Sequence, residues 1–142
     1  MKILTITIIC MLSCNYLYGF EMNTETISFI ESTNGTNKKI NKKGAIGEYQ
    51  ITYICLQDYN QYHSQKISRD KLYIQSVNFQ VYYWYMNKRI PQMLEYYGYK
   101  DCVDNRIICY DWGIGNFIKW MNREEVLPLE TIEYIRKYKE RN

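Results

Sequence analysis

Asn23-Thr24-Glu25-Thr26-Ile27-Ser28-Phe29-Ile30-Glu31-Ser32-Thr33-Asn34-Gly35 is the stretch on which the reading of the fold turns. Asn23 can accept a hydrogen bond from the first helical turn, and Glu25 puts a negative charge at the positive end of the helix. Ile27, Phe29 and Ile30 supply apolar contacts, while Asn34-Gly35 is a turn signal. The spacing therefore predicts a helix capped at 23 and ending near 32–33. Glu31 falls at the end of this otherwise apolar turn, so its carboxyl is expected to border the core. Desolvation there disfavours the carboxylate and raises its pKa, the condition a general acid needs near neutral pH. A surface glutamate at a helix end gives the same local pattern, so the stretch alone leaves both open.

Upstream, residues 1–19 read as an export signal. Met1-Lys2 is a short positive region, and residues 3–12 are apolar and uncharged. Ten residues suit a signal-peptide core and fall short of the ~20 needed to span a bilayer. Gly19 before Phe20 predicts cleavage there, giving a domain of residues 20–142 exported to the periplasm or the exterior, with no membrane span. The stretch Met11-Leu12-Ser13-Cys14 resembles a loose lipoprotein box, with a lipid anchor at Cys14 as the alternative. Removing residues 1–19 takes away Lys2 and no acid, so the formal charge falls from +3 to +2. No Lys/Arg block of five occurs, and nucleic acid is not an expected partner.

Downstream, residues 34–47 are polar and read as a loop or small hairpin anchored by Ile40 and Ile46. Helices are predicted over 52–62, over a long central 68–88, and over a short segment opened by Pro91 and closed by Gly98. An apolar segment over 103–110 breaks at Gly113-Ile114-Gly115, and helices over 114–121 and 128–139 follow. The expected fold is mainly α, a single domain with a small polar loop or hairpin lobe after the first helix. Hydrophobic residues make 46% of the 142, too many for a disordered chain. Any imidazole role would fall on His63 alone, which argues against a His-built metal centre or a Ser-His-Asp triad. Cys55, Cys102 and Cys109 form no zinc motif, and Cys102–Cys109 is the closest pair for a bridge. The sixteen tyrosines offer apolar faces with a hydroxyl, suited equally to a core and to sugar rings.

Two further segments join Glu31 as candidates. Gly44-Ala45-Ile46-Gly47-Glu48-Tyr49-Gln50 lets the chain turn tightly and could present the Gln50 amide to a sugar hydroxyl or acetamido group. Tyr110-Asp111-Trp112-Gly113-Ile114-Gly115 places aromatics and a short acid at a helix break, either a packing corner or a cleft wall.

Taken in order, Ile30-Glu31-Ser32, Gly47-Glu48-Tyr49-Gln50, Tyr110-Asp111-Trp112-Gly113 and Leu127-Pro128-Leu129-Glu130-Thr131-Ile132-Glu133-Tyr134 resemble the lysozyme-like transglycosylase family. That family comprises soluble lytic transglycosylases, their phage-borne relatives and goose-type lysozymes. Asp58-Tyr59-Asn60 is also similar to a segment of phage members. The resemblance runs from Thr26 to Tyr138 and implies a lysozyme-like fold. It implies cleavage of the β-1,4 bond between N-acetylmuramic acid and N-acetylglucosamine in peptidoglycan glycan strands, with no metal and no cofactor. Glu31 would be the catalytic acid, with Ser32, Gln50, Tyr110, Asp111 and Tyr134 contacting substrate or positioning the acid. Tyr110 or Trp112 would form an apolar platform under a ring.

One position departs from the family pattern, which has Asn where this chain has Asp111. An ionised Asp only accepts hydrogen bonds, whereas Asn also donates. A second carboxylate keeps lysozyme-type hydrolysis in play, with Asp111, Asp58 or Glu48 as the group positioning water. A non-catalytic exported glycan-binding or assembly protein of the same fold is the remaining alternative.

Overall fold

The computed structural model describes residues 20–37, 40–41 and 44–142. The expected export signal, its boundary at Gly19 and the alternative anchor at Cys14 lie outside the described residues. The chain is a small, mainly helical single domain. Seven α-helices occur among the described residues: α1 Thr24–Ser32, α2 Tyr53–His63, α3 Gln75–Trp84, α4 Ile90–Tyr96, α5 Val103–Trp112, α6 Ile114–Met121 and α7 Leu129–Glu140. None of them is long and apolar enough to cross a membrane.

α1 begins and ends as its sequence dictates. The Asn23 side chain accepts the Thr26 N–H at 3.1 Å. At the other end Thr33 adopts φ 54°, and its N–H closes on the carbonyls of Phe29 and Ser28. Ile27 is fully buried, a contribution of about 1.5–3 kcal/mol for an aliphatic side chain. Phe29 stays half-exposed beneath the Arg141 guanidinium, 3.6 Å from its ring centre. α7 lies against α1, and the two are tied where Asn23 donates its backbone N–H to the Tyr138 hydroxyl at 2.8 Å.

The long central helix expected over 68–88 is not continuous. A 3-10 turn, Arg69–Tyr73, comes first, Ile74 is extended at ψ 117°, and α3 starts at Gln75. The break has a chemical cause: the Leu72 carbonyl accepts from the Asn78 side chain at 3.0 Å instead of serving a helix. Past Trp84 the chain does not stop either, because a π turn over Tyr85–Arg89 links α3 to α4. Pro91 supplies the reason, since it has no N–H for the Asn87 carbonyl and its ring would clash there. The wider turn absorbs the mismatch, and the Ile90 N–H reaches back to Tyr85 O. Val81, Tyr82, Met86, Ile90 and Leu94 form the fully buried stripe of this segment, packed with Ile107, Ile108 and Phe117 of α5 and α6.

Where the polar stretch 34–47 ends, the described chain makes a tight antiparallel turn closed by one isolated bridge. Ile46 and Ile51 exchange both backbone hydrogen bonds at 2.9 Å, with residues 47–50 between them. Gly47 takes φ 83°, and a Cβ there would sit 2.2 Å from Asn78 Nδ2 and 2.7 Å from Leu72 O. Only glycine fits so close to another element. Asn78, wholly buried, accepts the Tyr49 N–H at 2.9 Å and donates to Ile46 O at 2.8 Å. One amide side chain thus fastens the turn onto α3.

The structure answers whether Cys102 and Cys109 are bridged. All three described thiols are free. Cys102 precedes α5 and Cys109 lies seven residues on, about 10.5 Å along the axis at 1.5 Å per residue. That exceeds the roughly 7 Å between Cα atoms that a disulfide spans.

Candidate active site

α1, the tight turn, α5 and α7 enclose a cavity of about 230 Å3. Glu31 reaches it from the last turn of α1, half-buried, and its Oε1 accepts a hydrogen bond from the Tyr134 hydroxyl at 2.7 Å. Tyr134 is 6% exposed, and burial first, then the neighbouring Glu31, pushes its phenol well above the ordinary range. It therefore remains a proton-bearing donor, and a carboxyl oxygen accepts from it in either protonation state.

Gln50 comes to the same cavity from the end of the turn, in a left-handed conformation at φ 49°. Its Nε2 donates to Gly47 O at 2.9 Å, so the side-chain amide is oriented by its own turn. Tyr110 lines the cavity with its ring, while its hydroxyl donates to Tyr49 O at 2.5 Å. Burial above all, with Glu31 second, raises the Tyr110 phenol well above its usual pKa. Its hydroxyl clamps the turn that carries Gln50. Asp111 follows on α5, where its Oδ2 accepts from Thr131 Oγ1 of α7 at 2.6 Å. Four of the expected partners, Gln50, Tyr110, Asp111 and Tyr134, thus line one cavity with Glu31.

The other candidates lie elsewhere. Ser32 is 2% exposed and does not line the cavity. Its Oγ accepts the Gly35 N–H at 2.8 Å and donates to Ser28 O at 3.3 Å, so it shapes the helix end. The helical repeat explains this, since neighbouring positions diverge by about 100° and Glu31 takes the cavity side. Glu48 binds Ser28 and Gln75 on the opposite side of the turn, and Asp58 pairs with Arg89 at 2.8 Å. Of the three acids considered for positioning water, Asp111 alone lines the cavity.

Trp112 lines a second cavity of about 330 Å3 together with Tyr53, Ile54, Cys55 and Tyr85. The two cavities share Gln50, Thr52, Tyr110 and Asp111, forming one groove with a polar end at Glu31 and a more apolar end at Trp112. Sequence reasoning missed Glu130 and Lys137, which line the polar cavity from α7. The signal was present: they stand four before and three after Tyr134, the spacing of one helix face. Among the described residues no cluster of three His, Cys, Asp or Glu is arranged to hold a metal ion. No family model, no curated protein and no solved structure matches this chain.

Proposed function

We propose that this protein is an exported lytic transglycosylase that cleaves the β-1,4 bond between N-acetylmuramic acid and N-acetylglucosamine in peptidoglycan. The reading takes its lysozyme-like character from the order of short motifs in the sequence. The observation that carries it is the Glu31 carboxyl, half-buried in a groove and held by the Tyr134 hydroxyl at 2.7 Å.

Protonated Glu31 donates to the glycosidic oxygen as the bond to the muramyl anomeric carbon breaks. The substrate's acetamido group stabilises the oxocarbenium-like centre, a substrate-assisted exception to the two-carboxylate scheme. Glu31, now a carboxylate, accepts the proton of the muramyl 6-hydroxyl, whose oxygen closes on the anomeric carbon to give a 1,6-anhydro ring. Proton and charge return to the starting state, and no water is consumed. Tyr134 fixes the position of Glu31 in both halves, and Gln50 and Tyr110 offer an amide and an apolar ring edge to the sugars.

A second reading, hydrolysis by a muramidase, is favoured by Asp111, which faces the same cavity and is oriented by Thr131. Such a carboxylate can orient a water molecule toward the anomeric carbon. The two outcomes separate by mass, since an anhydro end is one water lighter than a reducing end. Mature protein incubated with peptidoglycan should release muropeptides with anhydro ends. Reducing ends would establish the hydrolase instead. Binding to glycan without release, from folded protein, would leave the non-catalytic glycan-binding alternative. Glu31→Gln should lower release by at least about 10²-fold, the scale of a lost general acid, and undiminished release would remove Glu31 from the chemistry.

A further inference from the structure

A third cavity, of about 410 Å3, lies past the apolar end of the groove and is lined by Arg89, Gln92, Met93, Tyr96, Tyr97 and Ile114. Three elements lead from one cavity to the next. On α2, Ile54 lines the apolar end and Asp58, one turn on, bonds Arg89. Across the π turn, Tyr85 lines the apolar end and Arg89 the third cavity. At the break between α5 and α6, Gly113 belongs to the one and Ile114 to the other. Tyr96 is 83% exposed and Tyr97 half-exposed, with ring centres 5.0 Å apart and planes at 85°. Two adjacent rings this open form an apolar patch of the kind that marks a binding surface. The start of the described chain does not cover it, because Met22 donates its N–H to Asn87 Oδ1 on the opposite face of the same helical segment.

Polar groups stand beside the rings. Arg89 donates from Nε and Nη2 to the two Asp58 oxygens at 2.8 and 3.1 Å, which fixes the guanidinium plane and leaves Nη1 free among the described residues. Gln92 makes no side-chain hydrogen bond among the described residues, so its amide can both donate and accept. The lining carries one charge, on Arg89, and Asp58 offsets it. An anionic ligand would meet no uncompensated cation among these residues. Flat apolar faces, oriented donors and balanced charge suit an uncharged ring bearing hydroxyl groups, which is a sugar.

We propose that Tyr96, Tyr97 and Gln92 form a distal binding site for uncharged sugars of the same glycan strand that occupies the groove at Glu31. This rests on the reading of that groove as a glycan site. A strand reaches the Tyr96 ring only when it is long enough to pass Trp112 as well, so the site favours long strands over short ones. The Tyr96 ring stacks against the C–H face of a sugar, while Gln92 and Arg89 Nη1 bond its hydroxyl or acetamido groups. With the strand already held in the groove, the distal contact is intramolecular and adds affinity through effective concentration. Loss of an anchoring aromatic ring from such a platform costs about tenfold in affinity.

The test is calorimetric binding of short and long peptide-free glycan strands to mature protein in the Glu31→Gln background, which keeps the strands intact. Tyr96→Ala should weaken long-strand binding about tenfold and change short-strand binding little, whereas Tyr96→Phe should keep the affinity. Gln92→Ala should weaken long-strand binding severalfold. Tyr96 is exposed, so the far-UV spectrum and thermal midpoint of Tyr96→Ala should match the parent. The loss should persist at high salt, because no charge is removed. Long strands offer more registers than short ones, so the decisive quantity is the collapse of the length preference in Tyr96→Ala, not the preference itself. Long-strand binding unchanged in Tyr96→Ala overturns the distal site and leaves the glycan-cleaving reading standing. Dimerisation that Tyr96→Ala abolishes, with strand binding intact, assigns the patch to a second copy of the chain and also overturns it. Tyr96-dependent strand binding by a protein that releases no muropeptides keeps the distal site and removes the cleavage. Absence of binding to strands of any length removes both.

Discussion

Gly47→Ala should be among the most damaging single-methyl changes in this protein. Two effects add at that position. The backbone stands at φ 83°, where a Cβ costs about 1–2 kcal/mol. The added carbon would also lie 2.2 Å from Asn78 Nδ2 and 2.7 Å from Leu72 O. Asn78 is wholly buried and makes three hydrogen bonds, from Tyr49 N and to Ile46 O and Leu72 O. Displacing it strands at least one buried backbone group at about 1–3 kcal/mol. The sum is about 2–5 kcal/mol. Gly98 provides an internal reference, because its φ is 75° and a Cβ would meet nothing within 4 Å. Gly98→Ala should therefore lose only the backbone contribution, about 1–2 kcal/mol. Urea unfolding followed by far-UV circular dichroism separates the two, since m should stay constant while the midpoint falls. At an m of about 2 kcal/mol per molar, Gly47→Ala should move the midpoint by about 1–2.5 M, and Gly98→Ala by less than about 1 M. Equal shifts for the two variants would refute the close approach of Asn78 to the turn.

Tyr134→Phe removes only the hydroxyl that contacts Glu31, and a hydrogen bond to an ionisable group is worth about 1.5–3 kcal/mol. Steady-state kinetics on peptidoglycan should show kcat lower by at least tenfold with KM little changed, and an unchanged kcat would detach Tyr134 from the chemistry. Burial pushes the Cys109 thiol up to about 12, and burial followed by the Asp58 charge raises Cys55. In a protein of residues 20–142, the half-buried Cys102 should react with a colorimetric disulfide reagent in the native state at pH 8, and Cys55 and Cys109 only once the chain is unfolded. Alkaline stability follows from the phenols. Desolvation raises Tyr49 to about 12 and Tyr82, Tyr85, Tyr110 and Tyr134 further, from an ordinary value of 10.0. Above pH 10 the unfolded chain loses these protons while the folded one keeps them, so stability is full below pH 10 and falls as pH rises beyond it. Absorbance at 295 nm should show these five tyrosines ionising together with unfolding, and their independent titration in a folded protein would contradict the burial.

Much of the helical framework was legible because its signals are local. The Asn23 cap, the turn after Ser32, the Thr52 cap of α2 and the Gly113 break all act within a few residues of their own position. The bounds 114–121 coincide with α6 for the same reason. What escaped was long-range. Asn78 holds Tyr49 and Ile46 across about thirty positions, and no local pattern announces an amide that ends one helix and fastens a distant turn. Pro91 does stand in the first turn of α4, but no local pattern announced the π turn over Tyr85–Arg89 that joins α4 to α3. At the site, Glu31, Ser32, Gln50, Tyr110, Asp111 and Tyr134 were all named from motif order; five of them share a cavity, whereas Ser32 is buried at the helix end and does not line it. Glu130 and Lys137 went unnoticed because charged positions on a terminal helix ordinarily face solvent.

The link between Glu31 and Tyr134 joins residues 103 positions apart. The first and last helices are further tied by Asn23, whose side-chain amide donates to Asn142 Oδ1 at 2.7 Å. The cavity at Glu31 consequently takes one of its walls from the last helix of the chain. A chain ending after α6 would lack one wall of the groove, the Tyr134 hydroxyl bonded to Glu31, and the core contribution of Tyr134 and Tyr138. A product cut short before residue 134 would keep the Glu31 side of the groove and lose both its α7 wall and the Tyr134 hydroxyl.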